Sequence, residues 1–169
     1  MSSSRRRTAR LRAWASGLLP RPVSPEPELD PVLHAVSLAA LLDEAVALQP
    51  AADDLVLACG LPGEVPGQVA QRATELTGRY HRLLAELERM PLPAEYLPLR
   101  EHAERLLTYH LWMLHESLHL AFPNCPDSRV ESARLRLDGL GAPAAILRDL
   151  RERAHAQIVE PVPRRGARD

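Results

Sequence analysis

Lysine is missing from this chain, and all 21 of its basic side chains other than histidine are arginine. With the excess of alanine, that bias reads as a mark of GC-rich coding DNA more than of selection for guanidinium chemistry. Aromatic residues are nearly absent too: one Phe, two Trp and three Tyr. Isoleucine occurs only at Ile146 and Ile158. Strands draw on β-branched and aromatic side chains, so this scarcity argues against a substantial sheet and for a helical chain. Cys59 and Cys125 form neither a CxxC pair nor a zinc-type cluster, and two thiols alone imply no disulfide framework. Both read as small buried hydrophobes. No apolar run reaches the roughly 20 residues needed to span a bilayer. The run at residues 13–19, after the N-terminal arginines, is too short for a secretory core and stops at Pro20. These absences predict a cytoplasmic protein without a membrane partner.

Charge of one sign is lacking overall, with a formal net charge of −1, which predicts no specific affinity for nucleic acid. The distribution is nevertheless uneven. Arg5, Arg6, Arg7, Arg10, Arg12 and Arg21 precede the first acidic residue, Glu26. From there to Arg72 every charged side chain other than histidine is acidic. An acidic first helix could hold a basic arm or a basic partner, although a solvated tail beside a solvated face accounts for the same pattern.

What is present is helical periodicity broken by proline and glycine. Residues 1–29, Ser/Arg-rich and then Pro-rich, are expected to be a disordered arm. Asp30 followed by Pro31 is a good helix start. Leu38, Leu41, Leu42, Ala45 and Leu48 then repeat at helical spacing until Pro50, with a second short piece over 53–59. After a Gly/Pro-dense loop, Val69, Ala73, Leu76, Tyr80, Leu83, Leu87 and Met90 alternate in steps of four and three. That stripe is the seam of a helix packed in a bundle. A third helix is expected from 94 or 98 to 122, apolar on nearly every side in its second half. A final pair follows at 128–140 and 144–158, and residues 159–169 read as a disordered tail. The fold class is all-α: a compact helical bundle of four to five helices over residues 30–158, flanked by disordered N- and C-terminal tails.

One short motif stands out. His115, Glu116, Ser117, Leu118 and His119 match H-E-x-x-H inside the third helix. Side chains at i and i+4 lie on one helical face, so two imidazoles can ligate one zinc ion. The intervening glutamate can act as general base on the metal-bound water. In these five residues the chain resembles the zincin metallopeptidases. The resemblance implies His115 and His119 as metal ligands and Glu116 as the catalytic base. A third ligand has to come from elsewhere, with Glu131 or Asp127 the candidates after the turn at Phe122. Two features stand against it: nothing upstream reads as the substrate-binding strand of that family, and no second ligand motif is recognisable. The competing interpretation is that Glu116 faces solvent and the histidines cap hydrophobic shoulders.

Other constellations carry less. Glu116-x-x-His119 and Glu152-x-x-His155 share the spacing used by di-iron bundles, but on antiparallel helices they would lie far apart. The arginines from Arg129 to Arg153 are interleaved with acids and read as a solvated face. Tyr109 and Trp112 beside the motif read as core or as the wall of a small-molecule pocket. The leading expectation is therefore a non-catalytic helical interaction or regulatory module that binds a protein partner or its own copy and needs no cofactor. The alternative is a zinc-dependent hydrolase centred on His115, Glu116 and His119.

Overall fold

The computed structural model describes residues 31–124 and 127–159. The expected N-terminal arm at 1–29 and nearly all of the expected C-terminal tail lie outside the described residues. The described chain forms five α-helices and one short 3-10 turn, with no strand among the described residues. In order they are α1 (Pro31–Gly60), α2 (Gly67–Arg89), the turn Ala94–Tyr96, α3 (Leu97–Ala121), α4 (Ser128–Arg134) and α5 (Ala142–Val159). The all-α bundle expected from composition is what forms.

The α2 stripe behaves as its spacing demands: Val69, Ala73, Leu76, Tyr80, Leu83 and Leu87 are all buried. Pro91 and Pro93 follow Met90, whose extended backbone ends the helix while its N–H bonds the Leu87 carbonyl at 3.3 Å. Tyr96 closes the turn by donating to the Pro93 carbonyl at 3.0 Å, and Pro98 sits in the first turn of α3, where no backbone donor is needed. Short connections make α1, α2 and α3 successive antiparallel neighbours. Contacts of Gln49 with Ala144 and of Asp43 with His155 run α5 antiparallel along α1.

One expectation fails in α1. Two pieces separated at Pro50 were expected, yet a single helix of 30 residues runs through that proline. Proline inside a helix loses one backbone bond and crowds the preceding turn, at a cost of about 3 kcal/mol. The packing on either side offsets it. Leu48, Ala52, Leu55 and Val56 are buried across the break, and full burial of a Leu or Val contributes about 1.5–3 kcal/mol. Joining the two pieces also makes Val32–Gly60 long and apolar enough to cross a membrane, with a mean hydropathy of 1.5 over its most apolar window. That differs from the reading of the two pieces taken separately. In the bundle 44% of that window is buried, while Val32, Leu33, Val36 and Leu57 of the same helix stay exposed.

The chain between α4 and α5 turns on two glycines with positive φ, Gly139 (68°) and Gly141 (66°). Asp53 on α1 reaches into this turn, accepting the Leu140 N–H at 2.7 Å. A helix was expected over 128–140, but it ends at Arg134, and the anchor of the following turn on α1 was not expected.

Candidate functional site

The direction of the HESLH face is set by which residues of α3 the bundle covers. Ala103, Leu106, Leu107, His110, Leu111, Leu114 and Ser117 are buried and form its inner face. His115 and His119 fall outside that arc and are exposed, while Glu116 is half-buried. Ser117 between them is buried and donates Oγ to the Met113 carbonyl at 2.7 Å. The histidines thus sit further out than the shoulder position expected for them. The outer seam runs Glu101, Arg105, Thr108, Trp112, His115, His119 and Phe122, all exposed, in alternating steps of four and three. Trp112 is 52% exposed and Phe122 40%. The Tyr109 ring lies 5.6 Å from that of Trp112, and the His81 ring of α2 lies 6.2 Å from that of His115.

The two candidates for a third metal ligand are engaged elsewhere. Asp127 is the N-cap of α4, its carboxylate accepting the Arg129 N–H at 2.8 Å. Glu131 receives both Nε and Nη2 of Arg134, at 2.8 and 2.7 Å. That pairing holds its carboxyl below the usual range. No group of three or more His, Cys, Asp or Glu side chains gathers among the described residues. His155 lies 3.0 Å from Asp43 on α1, and Glu152 lies beside Arg151, so the two ExxH segments do not meet.

Arg134 overturns its reading as part of a solvated face. It is 3% exposed. Its guanidinium donates to the carbonyls of Cys59 at 2.8 Å, Leu61 at 2.6 Å and Gly63 at 3.2 Å. It thereby satisfies acceptors that the C-terminus of α1 and the following loop would otherwise leave open, and places a cation at the negative end of the helix dipole. Burial pushes the nearby Cys59 thiol up, opposed by the Arg134 charge.

A second buried polar group joins three helices. His110 is fully buried, and its Nδ1 lies 2.6 Å from the Leu106 carbonyl, so Nδ1 carries the proton. Nε2 is then an acceptor, facing the Gln49 amide at 3.4 Å. Gln49 donates to the Ala144 carbonyl at 2.9 Å and accepts from Arg148 at 3.0 Å. Burial lowers the His110 pKa, opposed by the bond to Leu106. The Tyr80 ring is 5.7 Å from His110, and the buried Tyr80 hydroxyl has no hydrogen-bond partner among the described residues.

Gln49 and Arg148 also line a surface cleft of about 560 Å³ with Asp53, Asp138 and Gly141. A second groove of about 350 Å³ lies between α1 and α2 over Leu55, Val69 and Leu76. Neither is lined by Trp112 or His115, so the pocket considered beside those residues is not one of these. Comparison with protein-family models, with curated proteins and with solved structures finds no match to this chain.

Proposed function

We propose that the protein is a helical interaction module whose docking face is the outer seam of α3. The observation that carries this reading is the exposure of Trp112 on the outer face of α3, with Phe122 exposed at the C-cap of the same helix. The chain has few aromatic side chains, and Tyr80 and Tyr96 are buried in the core. Aromatic residues flanked by polar ones on an uncovered helix face are the composition of a protein-binding surface. The seam's charges are mixed, which suits a polypeptide partner better than nucleic acid. Zinc hydrolysis at His115, Glu116 and His119 is the second reading. It rests on the two imidazoles sharing the exposed face, and it needs a third ligand, for which Asp127 and Glu131 would have to turn from their hydrogen bonds to Arg129 and Arg134.

A photo-crosslinking residue placed at Thr108 in the full chain, in the source cells, tests the first reading. The expected result is a discrete polypeptide adduct that disappears when Trp112→Ala is added. The same probe at Arg82, outside the seam, should give none. A seam probe that yields nothing above this control defeats the docking face.

A further inference from the structure

We infer that His81 on α2 and His115 on α3 form an exchangeable metal site that bridges the two helices, one imidazole from each holding a divalent ion of the nickel, copper or zinc class. The inference goes beyond the docking reading and does not depend on it. It also differs from the zinc-hydrolase reading, in which both histidine ligands come from α3.

Helix packing sets where the two rings stand. Tyr80 and Leu83 of α2 and Leu111 and Leu114 of α3 are buried in the core, which fixes the backbone on either side of the pair. His81 follows Tyr80 and His115 follows Leu114, so both emerge exposed along one edge of the α2–α3 contact. Their ring centroids are 6.2 Å apart. A metal–nitrogen bond of about 2.0–2.1 Å sets an ion about 3.2 Å from a ring centroid, so two rings on one ion stand about 4.5 Å apart at a right angle and about 6.4 Å apart in line. The observed separation lies at the wide end of that span. Small rotations of two exposed side chains bring a nitrogen of each onto one point.

The rings are also uncommitted. Neither has a hydrogen-bond or ion-pair partner among the described residues, whereas His110 is bonded to the Leu106 carbonyl and His155 to Asp43. Imidazole nitrogen suits nickel, copper and zinc, while calcium and magnesium take oxygen ligands. Two protein ligands leave the remaining positions to water, so the ion is held weakly and is lost on desalting. Because the ligands sit on different helices, the ion favours the folded state, in which they meet. The rival is a pair within α3, since His119 shares a face with His115 one turn on. Such a pair would bind without His81.

Nickel(II) is the probe, added at about 1 mM to the full chain without a histidine tag, with urea unfolding compared against the same protein in chelator. For a Kd of about 0.1 mM, that concentration raises the folded-to-unfolded ratio about tenfold. His81→Ala and His115→Ala should each cut the gain to less than about twofold, while His119→Ala keeps most of it. In chelator all three variants should unfold within about twofold of wild type, because all three positions are exposed. A wild-type gain below about twofold overturns the inference. So does a gain that survives His81→Ala, which would assign the ion to His115 and His119. A gain lost in His81→Ala but kept in His115→Ala overturns it as well, because His81 would then be acting with another partner.

Discussion

Gln49 and His110 meet in the core of the bundle with their Nε2 atoms 3.4 Å apart, which requires the imidazole to be neutral and to accept. A protonated ring would present a second N–H to an amide N–H that already faces it. Gln49 cannot turn its oxygen inward without losing Arg148 and the Ala144 carbonyl.

Stability should therefore fall on the acid side. Burial holds His110 below its ordinary value of 6.5, so the unfolded chain takes up a proton that the folded chain refuses. Between the two values the unfolded state binds more protons, and stability drops as pH falls through about 6.5. Below the folded value the loss no longer grows. Urea midpoints measured from about pH 7.5 to about pH 5 should decline more steeply in wild type than in His110→Leu. Parallel curves for the two proteins would remove His110 from the acid response.

Arg134 should be among the most sensitive positions in the chain. Arg134→Met keeps much of the volume but leaves the carbonyls of Cys59, Leu61 and Gly63 without their donor, and a loss of about 3 kcal/mol or more is expected. Arg134→Lys should recover only part of it, because one ammonium cannot span three carbonyls and Glu131 together. A methionine variant within about 0.5 kcal/mol of wild type in urea denaturation would show that water replaces the guanidinium at no cost.

These two residues mark where reading the sequence stops working. The α2 stripe was legible because each apolar residue there faces one neighbour at one spacing, and burial follows directly. Arg134 was not, because interleaved charges look alike whether a guanidinium is solvated or turned inward onto backbone carbonyls. His110 lay closer to view: it shares the helical face of Ala103, Leu107 and Leu114, and that register alone places it inside. For the HESLH run, spacing establishes that His115 and His119 share a face. The side of α3 they occupy depends on α1, α2 and α5, which the local motif does not contain. Pro50 misled for a similar reason, since the compensating contacts lie on other helices.

The α4–α5 turn separates two effects that are usually mixed. Gly139 and Gly141 have nearly the same positive φ, so alanine strains both backbones alike, by about 1 kcal/mol. At Gly139 a methyl group would also run into the Asp53 carboxylate, whereas at Gly141 it meets open space. Gly139→Ala should therefore cost about 1–3 kcal/mol more than Gly141→Ala, since it also dislodges the acceptor of the Leu140 N–H. Equal melting temperatures for the two variants would mean that Asp53 moves aside freely and does not anchor the turn.

Metal content tests the remaining chemistry of α3. Zinc held at a catalytic site needs three protein ligands about 2.0–2.2 Å from the ion. His115 and His119 supply two on an exposed face, with Asp127 and Glu131 committed to Arg129 and Arg134. Two surface imidazoles alone bind zinc weakly and exchange it with buffer. Protein purified without chelator and then desalted should therefore contain far less than one zinc per chain. His115→Ala and His119→Ala should contain the same amount as wild type. Glu116→Gln should leave metal content unchanged as well, because the base of such a motif is not a ligand. About one zinc per wild-type chain, lost in both alanine variants and kept in Glu116→Gln, would displace the docking reading. In that case a third ligand would have to turn toward the ion, Asp127 or Glu131 from its present partner or His81 from beside His115, and truncating the one that does should lower the zinc content in turn.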